Sequence, residues 1–114
     1  MSFNNKLSHG KKFTFDSKDL PFVTLDSYIT ENGNKVITVR EVFINNKAKF
    51  GPRGCVVTDT LKINVPRHIN KDIETILNDP ELIGLINNGK CGFKPTQYED
   101  SNGVVRNSGE FIDI

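Results

Sequence analysis

The chain has 114 residues, 36% hydrophobic, 25% charged and 9% aromatic, with 15 Lys and Arg against 14 Asp and Glu. That composition buries a small core, roughly two-thirds of the unfolded surface at this length, and excludes disorder and collagen-like repeats. No apolar run nears the roughly 18 residues of a membrane span, and the opening Met1-Ser2-Phe3-Asn4-Asn5-Lys6 lacks a secretory signal, so the expected compartment is the cytoplasm.

Residues 12–16 and 23–29 alternate apolar and polar, the two-residue period of a half-buried strand, with Pro21 between them. Asn32-Gly33 supplies the positive backbone dihedrals of a tight hairpin turn, and residues 35–44, rich in Val and Ile, read as its returning strand. Residues 45–54 are dense in loop formers. Cys55-Val56-Val57 resumes extended character, and residues 60–65 alternate until Pro66, a third strand.

The period then changes. Asn70 is placed as an N-cap, followed by Ile73, Ile76 and Leu77 at helical spacing; Asp79-Pro80 restarts a helix, and Gly89 is placed to end it. Residues 90–98 return to strand, with Pro95 arguing for an edge or an early end. Ser101-Asn102-Gly103 turns the chain into Val104-Val105-Arg106 and, after Gly109, residues 110–114, a closing hairpin. An acidic, apolar-ended partner-recruiting tail is the other reading of that last stretch. With no repeat or linker, residues 1–114 form one domain.

Strand, strand, strand, interrupted helix, strand, strand is the order of a mostly β, five-stranded Greek-key OB-fold barrel, whose second and third strands and neighbouring loops bind oligonucleotides or oligosaccharides. Charge follows the same division. Residues 35–71 carry eight Lys and Arg against Glu41 and Asp59, whereas residues 72–114 carry eight acids against Lys90, Lys94 and Arg106. A basic middle is an anion-binding surface or a solvated face.

Single-stranded nucleic acid needs cations along its phosphates and exposed aromatic rings for its bases. Arg40, Lys47, Lys49, Phe50, Arg53, Lys62 and Arg67 provide that mixture, with Tyr28 and Phe43 on the adjoining hairpin. Phosphates fall to Arg40, Lys47, Lys49, Arg53 and Lys62, and stacking to Phe50 or Tyr28. The alternative for Phe50 is a plug at the barrel end. Which strand face holds Tyr28, Arg40 and Phe43 stays open, because one bulge inverts it. Phe13, Phe15 and Phe22 are assigned to the core. Gly51-Pro52-Arg53-Gly54 has the Gly-x-x-Gly spacing of KH domains without their flanking helices.

No nucleotide-binding glycine loop, His-Glu-x-x-His or Cys-x-x-Cys is present, and His9 and His68 are the only imidazoles. His68, Asp72 and Cys91 lack the spacing of a metal site. The expectation is therefore no catalysis, no cofactor and no metal.

With the Lys47 to Arg53 loop, the Leu61-Lys62-Ile63-Asn64-Val65 strand, the capped helical pair and the Asn102-Gly103 hairpin together, the chain resembles small bacteriophage single-stranded DNA-binding proteins of the lactococcal phage type. The resemblance implies an OB-fold, a homodimer, cooperative coating of single strands in phage replication or recombination, and no catalysis. The expectation drawn from the residues and the resemblance together is a sequence-tolerant single-stranded DNA-binding protein in the host cytoplasm, with replication or recombination proteins as further partners. The competing reading is a non-catalytic protein-interaction or phage structural module.

Overall fold

The computed structural model describes residues 13–47 and 51–114. Its elements in chain order are β1 (Phe22–Thr24), α1 (Leu25–Asn32), β2 (Ile37–Thr38), β3 (Glu41–Asn45), β4 (Arg53–Val57), β5 (Lys62–Asn64), a 3-10 turn (Arg67–Ile69), α2 (Asn70–Leu77), α3 (Pro80–Asn87), β6 (Cys91–Glu99) and β7 (Val105–Asp113). The fold is mixed α/β. One sheet has the order β1-β5-β4-β3 and the other β2-β6-β7, so the described strands make two sheets and no closed five-stranded barrel.

The largest departure from expectation lies in the first third. Residues 13–16 form bends and coil, not a strand, and the 23–29 stretch is strand only through Thr24. Leu25, Tyr28 and Ile29 stand at i, i+3 and i+4, so this segment satisfies a helical period as well as an alternating one. The cap decides between them: the Thr24 hydroxyl accepts the Ser27 amide at 3.0 Å, which starts α1. Asn32-Gly33 then ends a helix instead of turning a hairpin. Gly33 sits at φ 68° and its N–H reaches the Ile29 carbonyl.

The expected strand over 35–44 divides between the two sheets. Val39 donates its N–H to the Cys91 carbonyl of β6 at 2.9 Å, and the next amide, Arg40, donates to Val57 of β4 at 2.8 Å. Val39 is fully buried at this crossing, and Ile37, Val42, Val56, Ile63, Ile73, Ile86 and Phe93 belong with it to one apolar cluster.

The expected third strand is two, β4 and β5, paired antiparallel, and β4 begins at Arg53 inside the expected loop; the second half-helix and the closing hairpin follow their sequence signals. Asp79 caps α3 by accepting the Glu81 and Leu82 amides, with Pro80 at the first helical position. Asn70 is no N-cap: it lies inside the helical backbone, accepts the Gly54 amide at 2.7 Å and donates to the Pro52 carbonyl at 3.1 Å. The side chain ties α2 to β4 where Ile73 lies against Gly54 so closely that a Cβ would collide with it.

β6 and β7 pair antiparallel along their whole length, and β7 runs unbroken through Gly109. The Cys91 carbonyl faces β2 and the Lys90 carbonyl faces β7, so odd-numbered residues of β6 turn their backbone toward β2. Pro95 thus directs its missing donor past the end of two-residue β2, a locally open edge. Opposite it, Gly109 leaves space for the ring of Phe93, which also packs edge-on against Phe111 at 5.2 Å between centroids.

Gly109→Ala is expected to lower stability by about 1–3 kcal/mol through overpacking against Phe93. Urea unfolding of Gly109→Ala, Phe93→Leu and the double variant checks this: the smaller Leu side chain should make the double variant less destabilised than the two single losses combined.

Candidate nucleic-acid interface

Alternation along the strands gives the four-stranded sheet two faces. Val42, Gly54, Val56 and Ile63 face the helices. Phe22, Thr24, Lys62, Asn64, Arg53, Cys55, Val57, Glu41 and Phe43 share the outward face, with Phe22 beside Lys62, Lys62 beside Val57, and Val57 beside Glu41.

Phe22 and Phe43 begin on the two outermost strands and lean inward until their rings meet edge-on, 6.4 Å between centroids. Beneath this roof Cys55 and Val57 are fully buried. The residues preceding β1 reinforce it: Ser17 donates to the Glu41 carboxylate at 2.8 Å, and the Lys18 carbonyl accepts from Lys62. Phe22 nevertheless keeps 50% of its surface exposed. The Lys62 ammonium stands 4.9 Å from the centre of its ring.

At the other end of this face, Arg53 donates Nε to the Val65 carbonyl at 3.3 Å, taking a β4–β5 ladder position whose amide partner, Gly54, is held by Asn70. Arg53 also lines a cleft of about 450 Å³ between the sheets, with Thr24, Asp26, Pro66, Tyr98, Arg106 and Asn107. Tyr98 is 45% exposed and packs edge-on against His68, whose Nε2 lies 2.7 Å from the Ser108 hydroxyl. Asn107 donates to Asp26 at 2.7 Å and fixes the hairpin against the start of α1. Arg106 pairs with Asp100 at 2.9 Å, and the Val104 amide, first, and Arg106 hold that carboxyl below its usual range.

Of the residues expected to bind, Lys62 and Arg53 lie on this face, Arg67 is exposed just beyond Pro66, and Lys47 is exposed in the loop after β3. Arg40 sits away from them, bonded to Asp59 at 2.6 Å. Lys49 and Phe50 lie outside the described residues. Tyr28 is not a stacking platform: it is 9% exposed on α1, donates its hydroxyl to the Lys35 carbonyl, and burial raises its pKa. Phe22, assigned to the core from sequence, is at the surface, while Phe13 is buried. The sequence reading missed Tyr98 and Arg106, although both occupy outward positions of a hairpin it placed correctly. The acidic residues Asp72, Glu110 and Asp113 instead rim a separate, largely apolar groove of about 420 Å³ between α2, α3 and β7.

Among the described residues no group of three or more His, Cys, Asp and Glu is placed to hold a metal ion, and no helix is long and apolar enough to cross a membrane. Comparison with family models, curated proteins and solved structures returns no match.

Burial pushes the Cys55 thiol up to about 11, with Arg53 and Lys62 pulling it back; burial and Asp113 push Cys91 to about 11. The ordinary value is 9.0, so the unfolded chain ionises first, and stability is expected to fall as pH rises from 9 to 11. Thermal melts across that range check it. Iodoacetamide labelling read by mass spectrometry tests the roof: Phe22→Ala should speed modification of Cys55 and leave half-buried Cys91 unchanged.

Proposed function

We propose that this protein is a non-catalytic, sequence-tolerant single-stranded DNA-binding protein acting in phage replication or recombination. The observation that carries the reading is the exposed Phe22 ring with Lys62 against it, on a sheet face that continues through Arg53 into a cleft holding Tyr98. Aromatic rings stand at both ends of that path with cations between them, the mixture that an unpaired strand with stacked bases and phosphates requires. The OB-fold reading supplied the same logic of an exposed strand face. The open four-stranded sheet offers such a face without barrel closure.

Phosphates fall to Lys62, Arg53 and Arg67, with Lys47 at the same end of the sheet as Arg53; bases stack on Phe22 and Tyr98. Lys49 and Phe50 remain in the proposed set by sequence alone. Arg40, paired with Asp59, contributes little net charge.

The test is fluorescence anisotropy of labelled single-stranded and duplex DNA across a range of salt. Single strands of different sequence should bind comparably, duplex weakly, and affinity should fall steeply with salt. Lys62→Gln should reduce the log–log salt slope by about one. Phe22→Ala should weaken binding by about 1–3 kcal/mol with little change in that slope. No single-strand binding at low salt would sink the proposal and leave the interaction module.

A further inference from the structure

The geometry points to the free edge of β7 as the surface on which a second copy of this chain pairs, strand against antiparallel strand, to make one continuous sheet. Ile114 donates to Lys90, so even-numbered residues at this end of the hairpin turn their backbone toward β6, and the odd ones turn theirs away. Val105, Asn107, Gly109, Phe111 and Asp113 therefore present their N–H and C=O groups outward. Among the described residues none of these backbone groups has a hydrogen-bond partner beyond the strand.

A long exposed edge is ordinarily defended by proline, lysine, a bulge or brevity. The other edges are shorter or interrupted. β1 is three residues long and follows Pro21, β2 is two residues long, β3 is five, and the part of β6 beyond β2 contains Pro95. β7 has nine residues with no proline, no lysine and an unbroken register.

The strand is also complementary to itself. Pairing outward residues with outward residues allows only registers that differ in steps of two. In one of them Ser108 faces Ser108 across the two-fold axis. That register sets Arg106 opposite the partner's Glu110, twice by symmetry. It sets Val105, 68% exposed, opposite Phe111, and Val104, 46% exposed, opposite Ile112. A slip of two residues in either direction loses the charge pairing. A slip of four places Arg106 against Arg106 or Glu110 against Glu110. Arg106 keeps Nε on Asp100, which leaves its terminal nitrogens to reach across.

The experiment is light-scattering mass measurement on the full chain without nucleic acid, so its outcome is independent of DNA binding. The wild type should have twice the mass of one chain. Arg106→Glu alone and Glu110→Arg alone should each fall to the mass of one chain with unchanged circular dichroism, and an equimolar mixture of the two should return to twice. Ser108→Cys should cross-link to a covalent dimer under mild oxidation, because facing residues without ladder hydrogen bonds lie about 4.5 Å apart between Cα atoms, within disulfide reach. Ser101→Cys in the hairpin turn and the wild type should not cross-link. A wild type with the mass of one chain overturns the inference, as does a double-mass protein whose Ser108→Cys variant does not cross-link.

Discussion

Two consecutive amides tie the two sheets to each other. Val39 donates into the three-stranded sheet and Arg40 into the four-stranded one, so the chain changes sheets within a single peptide step. The two sheets therefore cannot drift apart without breaking one of these bonds. Their inner faces share one apolar cluster with α1, α2 and α3. The same step sets the base of the β6–β7 hairpin beside the Val57 end of β4, and Asn107 on Asp26 fixes the hairpin farther along. The cleft between Arg53 and Arg106 results from that placement.

What the sequence revealed depended on how many structures each local pattern allowed. Asp79-Pro80 permits little besides a helix start, and Asn102-Gly103 between two alternating runs little besides a hairpin; both appear where expected. Asn32-Gly33 permits two. The positive φ of Gly33 serves a helix end as readily as a turn, and the Thr24 cap three residues before Ser27 was the signal that distinguished them. The division at Val39 and Arg40 left no local mark, because a continuous β-branched run reads the same whether its amides bond to one sheet or two. The site was legible to the same extent. Lys62 and Arg53 stood out by charge, but separating Phe22 from Phe13 and Tyr28 required knowing which strand was outermost.

The cations on the outward face are held by the fold. Lys62 contacts the Lys18 carbonyl and the Phe22 ring, and Arg53 closes a ladder position at Val65. Side chains fixed before a ligand arrives lose less conformational entropy when it binds. Lys47 belongs to an exposed loop, and among the described residues its side chain meets no such restraint. An anion held at the sheet and one held at the loop would therefore differ in entropic cost even where the charges are equal.

Phe22 belongs to β1, a three-residue strand that joins its sheet through parallel pairing to β5 alone. Short edge strands of this kind open at a free energy below that of global unfolding. Any molecule that grips the Phe22 ring in its docked position must also hold β1 onto β5. By thermodynamic linkage its affinity is diminished by the fraction of time the strand spends detached, and its presence suppresses amide hydrogen exchange in β1 and β5. The order of this edge and the occupancy of the aromatic face thus form a single equilibrium.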